Sequence, residues 1–258
     1  MVVATARDAA GAPHFEIDGL AIRGFPGAGL IADSTDNLVL RHVESADNAL
    51  YGLHVRFARR PHIEGTFVHG NQDTSVFLLG VDGARVRRSR VENNRGEGVI
   101  FLETAQSTAR RNDLRGNCTG VSVVDLGLVP GTSEGNVAAQ NRMRANDNFC
   151  PENQNGAGNP SFSGIGVLVA GAVGTQVRFN DVAEHQASAE TDLPPGGIVV
   201  IASAPQGGRD SGATDVGRNH LRDDGPFDLL WDGTGIGVTF SGNRCATSAP
   251  DGLCGAGE

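Results

Sequence analysis

One short pattern recurs along most of the chain and restricts it to a repeat fold. An apolar residue is followed by two variable residues, a small polar one, one variable residue and a second apolar residue. It reads Leu38-x-x-Arg41-x-Val43, Ile63-x-x-Thr66-x-Val68, Val86-x-x-Ser89-x-Val91 and Ala109-x-x-Asn112-x-Leu114. It continues as Ala138-x-x-Asn141-x-Met143, Val177-x-x-Asn180-x-Val182, Val216-x-x-Asn219-x-Leu221 and Phe240-x-x-Asn243-x-Cys245. The polar positions step by 25, 23, 23, 29, 39, 39 and 24 residues, and the last five are all Asn. Coils stacked at about 4.8 Å bring equivalent residues into ladders, in which an Asn side chain bonds to the Asn above and below. A second ladder is expected three residues after the last apolar position: Asn71, Asn94, Asn117 and Asn146, then His185 and Asp224.

A further strand opens each coil, mostly after glycine: Gly29, Gly52, Gly98, Gly120, Gly166 and Gly197. Strand alternation sends Leu30, Leu53, Val76, Val99, Val121, Val167 and Ile198 inward, followed by Ala32, Val55, Leu78, Phe101, Val123, Val169 and Val200. The same order of strands and turns repeats in register. The chain is therefore expected to be all-β: one single-stranded right-handed parallel β-helix solenoid of about eight coils. An antiparallel sandwich would need hairpin turns at short spacing, and Asp82-Gly83 has no matching return strand.

The domain reading is one β-helix over 1–258, with 1–14 as an N-terminal cap or tail and 245–258 as a C-terminal tail. The repeat shows no upstream coils, so the chain is expected to be either a fragment or closed by 1–14. Loop insertions are expected at 147–163, 186–196 and 203–213, all just before the Gly-led strand, where they would wall a groove. Their plain alternative is a set of tolerated surface excursions.

The net charge of −9 argues against a nucleic-acid partner, and no apolar run reaches the length of a membrane span. Residues 1–14 do not read as a signal peptide. Every basic residue is Arg, so a lysine base is excluded. Four cysteines allow three pairings; aligning the coils favours Cys118–Cys150 and Cys245–Cys254, hence a secreted or otherwise extracytoplasmic protein. The alternative is four reduced cysteines in the cytosol.

The coils, the Gly-led strands and the tail from Asn243 to Cys254 resemble the pectate-lyase-like superfamily of right-handed β-helices, in particular the NosD-like parallel β-helix repeat proteins. The resemblance implies a carbohydrate-active prior by fold analogy. The chain departs from active members: the polygalacturonase set is missing, with Asp223-Asp224 standing alone, and no acidic cluster with a basic partner marks a calcium-dependent lyase.

In this superfamily ligands lie on the outer face of one sheet. Here the outward rows run Ile31, His54, Phe77, Ile100, Ser122, Leu168, Val199, Asp228 and Asp33, Arg56, Leu79, Leu102, Val124, Ala170, Ile201, Leu230. The middle of that face is apolar, unlike a polyuronate groove. Either the insertions cover it, a second subunit packs on it in a homo-oligomer, or an apolar ligand binds there. Glu103 and Asp125 fall at one position of successive coils, about 5 Å apart, and are the candidate acid–base pair, with His54 as a possible base. Solvated strand-end carboxylates and a surface histidine are the bland alternatives. Arg56, Phe77, Leu79, Ile100, Leu102, Val124, Asp228 and Trp231 are the candidate substrate contacts, Trp231 alternatively belonging to a structural last coil. Arg85, Arg87, Arg88, Arg90, Arg110 and Arg111 form a basic stripe that either binds anionic glycans or pairs with the acidic excess.

The functional expectation is a carbohydrate-active or carbohydrate-binding protein of lyase, hydrolase or epimerase type, taking a polysaccharide or small-molecule ligand. No metal or organic cofactor is called for. The rivals are a cyclase or isomerase for an apolar metabolite and a non-catalytic structural or surface-binding protein.

Overall fold

A computed structural model describes residues 2–5, 14–129, 133–154 and 158–255. Three parallel sheets of ten, nine and eight strands run the length of a right-handed solenoid. Eight successive coils, from Val2–Thr5 to His220–Arg222, supply one strand to each sheet. Leu229–Trp231, Thr239–Ser241 and Ser248–Ala249 add the last rungs, so part of the C-terminal tail is built into the first sheet. Val2–Thr5 pairs with Leu30–Asp33 at the other edge; most of the expected N-terminal cap, 1 and 6–13, lies outside the described residues.

The inward positions read from the sequence form the core. Leu30, Leu53, Val76, Val99, Phe101, Val123, Val167 and Val200 are all fully buried, and Phe101 is the largest side chain among them. Each coil contributes its strand residues at alternate positions, so equivalent aliphatic groups stack from coil to coil.

The first coil of the repeat needs a correction. Leu40, not Leu38, pairs with Ile63, and Ser45 pairs with Val68. The coil therefore reads Leu40-x-x-Val43-x-Ser45, two residues later than the sequence pattern suggests. Leu38 and Leu40 are both fully buried, Leu38 filling the corner ahead of the strand; two inward leucines at i and i+2 make both registers look apolar. The shift also uncovers Asn48 as the first member of the second ladder, donating from Nδ2 to Asn71 Oδ1 at 2.8 Å.

Both ladders exist. Asn112, Asn141, Asn180, Asn219 and Asn243 are linked by Nδ2-to-Oδ1 bonds of 2.9–3.1 Å, and each Oδ1 also takes the preceding member's backbone N–H. Buried turns thus have their polar groups satisfied by their neighbours in the stack. In the second ladder, Asn146 Nδ2 donates to His185 Nε2 at 3.0 Å, and His185 Nδ1 faces Asp224 Oδ1 at 2.7 Å. An amide nitrogen only donates, so the imidazole proton sits on Nδ1 and passes the donor direction on to Asp224.

Most of the basic stripe is engaged, Arg90 along its own strand and the others across coils. Arg87 and Arg88 bind Glu64, Arg90 binds Glu92, and Arg110 and Arg111 both donate to Gln140 Oε1.

Candidate functional site

The apolar outer face of the first sheet is covered from within the chain. Phe77, Ile100, Leu168 and Val199 are buried, together with Leu102, Val124, Ala170 and Ile201 beside them. Phe162 from the first insertion and Leu193 from the second pack on this row. The Cys118–Cys150 disulfide anchors the first insertion at its base, and Cys150 and Phe162 exchange backbone hydrogen bonds of 2.9 and 3.0 Å. Asp192 in the second insertion accepts both the N–H and the hydroxyl of Ser161, at 2.8 and 2.7 Å, and these bonds hold its carboxyl below the usual range. The third insertion is tied down by Arg209, whose Nη2 lies 3.0 Å from Asp125 Oδ2.

Between the insertions and the sheet remains a cleft of about 70 Å³. A single water needs roughly 10–15 Å³ on the same measure, so the cleft accepts a few waters or part of a ring. Phe77, Ile100, Leu168 and Ile201 form its floor, and Phe162, Leu193, Pro160 and Gln206 its walls. All three insertions contribute.

Among the described residues one ionisable group lines it: Glu97. This glutamate sits in the turn between the Asn94 ladder position and the strand Val99–Leu102. The coils approach so closely there that a Cβ on Gly96 would lie 2.3 Å from the backbone nitrogen of Thr74. Glu97 is 3% exposed. Burial pushes its carboxyl up to about 7; the Ser122 hydroxyl, hydrogen-bonded to it, opposes the shift, and the charge of Asp73 adds to it. Ser122 Oγ in turn lies 2.9 Å from Thr119 Oγ1.

Aromatic groups flank this acid. Tyr51 stacks on Phe77 with centroids 5.0 Å apart, and His54 meets both rings edge-on at 4.8 and 5.0 Å. Burial raises the Tyr51 hydroxyl to about 12, reinforced by Asp73 and then Glu97. Burial lowers His54 to about 4, with Arg56 adding to the effect and Asp33 opposing it. At neutral pH both are therefore uncharged. His54 Nε2 is buried and has no hydrogen-bond partner among the described residues.

The candidates read from the sequence divide into two groups. Phe77, Ile100, Leu102 and Val124 line the cleft, and Leu79 packs against the same cluster. The others stand outside its lining. Arg56 is engaged with Asp33, Nε to Oδ2 at 2.8 Å. Glu103 and Asp125 do occupy equivalent positions, one residue past the paired Leu102 and Val124, but neither is a solvated strand end. Glu103 is fully buried, and its Oε1 accepts the N–H groups of Leu126 and Leu128 at 2.6 and 3.2 Å. Asp125 holds Gly127 N–H and Arg209. The last coil is shifted from the expected register: Leu230, not Asp228, pairs with Val199. Asp228 falls just ahead of the strand Leu229–Trp231, where it is buried and accepts the N–H groups of residues 246 and 247 at 2.7 and 3.1 Å. Trp231 Nε1 donates to the Thr234 carbonyl at 2.8 Å, within the closing turns.

Glu97, Asp73 and Tyr51 carry no periodic signal. Tyr51 and Glu97 fall in one column with the unlike Thr74 between them, Asp73 falls in the neighbouring column, and the burial of Glu97 arises from insertions more than fifty residues further along the chain.

A family model described as a right handed beta helix region matches residues 8–188. The chain belongs to this family. Among solved structures, this right-handed β-helix is similar to the periplasmic alginate epimerase AlgG, with 15% identity, 84% of this chain and 47% of that chain covered, and a TM-score of 0.64. It spans about half the length of that epimerase. An alginate lyase from Paenibacillus sp. str. FPU-7 is 10% identical over 89% of this β-helix and 97% of its own chain, with a TM-score of 0.56. The Azotobacter vinelandii mannuronan C-5 epimerase AlgE6 A-module is 15% identical, covering 95% and 76%, with a TM-score of 0.53. Likeness at this level is likeness of fold. No curated protein matches the sequence.

Proposed function

We propose that the protein is an acid–base enzyme of the carbohydrate-active β-helix kind, working outside the cytoplasm, in which Glu97 moves a proton on a ligand held in the covered cleft. The observation that carries this reading is the Glu97 carboxyl itself: fully buried, lining an apolar cleft, and raised to about 7. A group divided between its two forms near neutral pH serves as base or acid. Fold neighbours named as an alginate epimerase, a mannuronan C-5 epimerase and an alginate lyase support the ligand class. Two disulfides support an oxidising compartment.

In this reading Glu97 takes the proton from a carbon next to a carbonyl or carboxyl group. In epimerisation a proton from water is returned to the opposite face of that carbon; in elimination the C–H electron pair forms a C=C bond as the neighbouring C–O bond breaks, and the leaving oxygen takes up the proton that Glu97 removed. Tyr51 keeps its proton through the neutral range and, stacked on Phe77 behind the cleft lining, acts as a positioning residue. Phe77 and Phe162 offer apolar faces to the C–H side of a ring. Glu103 and Asp125 act as positioning residues, fixing the 126–128 turn and the third insertion that wall the cleft.

A second reading is favoured by the lining, which apart from Glu97 carries no charge: a cyclase or isomerase for a small apolar metabolite, using the same carboxyl. The test is a panel of uronate oligomers, followed by absorbance of unsaturated uronate and by deuterium uptake from D2O. Turnover by the parent and none by Glu97→Gln supports the first reading. Silence across the panel with displacement of an apolar dye from the cleft supports the second, and silence in both assays contradicts an enzymatic role.

A further inference from the structure

A second cavity, about 530 Å³, opens beside the cleft and is lined by Asp73, Arg95, Asn148, Phe149 and Gln154 among others. Gln154 lines both cavities and is the wall between them. Its Nε2 donates to Asp73 Oδ1 at 2.8 Å. A carboxylate only accepts, so the amide has to present its nitrogen to Asp73 and its oxygen elsewhere. That oxygen is buried and has no hydrogen-bond partner among the described residues. Nearly all buried acceptors are paired, so this one stands out.

Arg95 stands in the outer cavity with no ion-pair partner among the described residues, whereas most arginines of the second and third sheets are paired across coils. Its backbone is fixed: its N–H bonds to Asn71 O at 3.0 Å, and the Cys150 sulfur of the disulfide lies 3.7 Å from its carbonyl oxygen. Asp73 lines the same cavity, its Oδ1 accepting Thr74 N–H at 2.7 Å and Gln154 Nε2 at 2.8 Å.

The geometry points to an outer subsite for the hydroxy-acid end of the ligand: a hydroxyl donates to Gln154 Oε1, and a carboxylate bonds to the Arg95 guanidinium. The apolar cleft and Glu97 hold the reacting part. This rests on the carbohydrate reading of the Glu97 site and narrows it to acidic, hydroxylated ligands with an apolar ring face.

The test is equilibrium binding by isothermal titration at low salt, on the full disulfide-bonded chain carrying Glu97→Gln, so that no turnover intervenes. Three probes are used: glucuronate, glucose and hexanoate. Glucuronate is expected to bind about tenfold more tightly than either of the others, the size of one good charge-assisted contact. Arg95→Ala should bring glucuronate to the level of glucose and leave glucose unchanged. Gln154→Leu should weaken glucose and glucuronate and leave hexanoate unchanged. Equal binding of glucuronate and glucose, a preference that survives Arg95→Ala, or no binding of glucuronate overturns the subsite. A failed Glu97 role would show instead as unaltered turnover in Glu97→Gln with the binding preference intact.

Discussion

Gln154 Nε2 meets Asp73 Oδ1 at 2.8 Å across a sequence separation of 81 residues. That bond joins the first insertion to the coil next to Glu97 and closes one end of the cleft. At its base the same insertion is held by Cys118–Cys150, and near its end by the Ser161–Asp192 pair. A regular solenoid carries no cavity of its own on a sheet face. This one has a cleft because three loops are fastened over an apolar stripe.

Replacing Glu97 with Gln should stabilise the protein at alkaline pH while abolishing turnover. The folded carboxyl is raised to about 7 from an ordinary value of 4.5, so the native state holds its proton more tightly than the unfolded chain. Stability therefore falls as pH rises from 4.5 towards 7 and stays lower above that. The difference is on the order of 3 kcal/mol. Urea midpoints should show Glu97→Gln well above the parent at pH 8 and close to it at pH 4.

Glu103 gives the opposite outcome. Its Oε1 accepts two backbone N–H groups, and Gln retains an oxygen for both. Glu103→Gln should keep turnover within about threefold, against a drop of about a hundredfold or more for Glu97→Gln. Glu103→Ala should raise KM more than it lowers kcat, because the Leu126 wall loosens. Steady-state kinetics of the three variants checks the assignment.

The Asn ladder is a stability device. Asn180 accepts Asn141 N–H and Nδ2 and donates to Asn219 Oδ1 and Ala138 O. Asn180→Ala leaves several of these buried groups unmet and should cost about 3 kcal/mol or more, read as a fall in the denaturation midpoint.

Removing the Cys118–Cys150 bridge frees a loop with a sequence separation of 32 and should cost about 3–4 kcal/mol by chain entropy. Hydrogen exchange of a Cys118→Ser, Cys150→Ser double variant should rise first in the described parts of 147–163.

Much of the fold was legible because a solenoid writes the same environment at every coil. Val99, Phe101 and Val123 declare their inward aim through alternation, and Asn112 to Asn243 declare a column through identity. The register failed where Leu38 and Leu40 offered two apolar phases, and Asn48 was lost with it; it failed again in the last coil, where Leu230 rather than Asp228 stands beside Val199. The cleft was half legible. Phe77, Ile100, Leu102 and Val124 follow from the strand period, and the insertions from the broken spacing. Glu97 does not repeat, and nothing local marks it. Its chemistry comes from loops folding back over it, which no short window of sequence contains. Glu103 and Asp125 were visible as a pair because the register places them together, but register is silent on whether a carboxylate faces a ligand or a backbone N–H.

The most direct test is a 13C NMR titration of the Glu97 side-chain carboxyl, assigned by comparison with Glu97→Gln. The account predicts a midpoint near 7, moving down when Phe162→Ala opens the cleft to water. A midpoint at the ordinary glutamate value near 4.5, unchanged by opening the cleft, would contradict it.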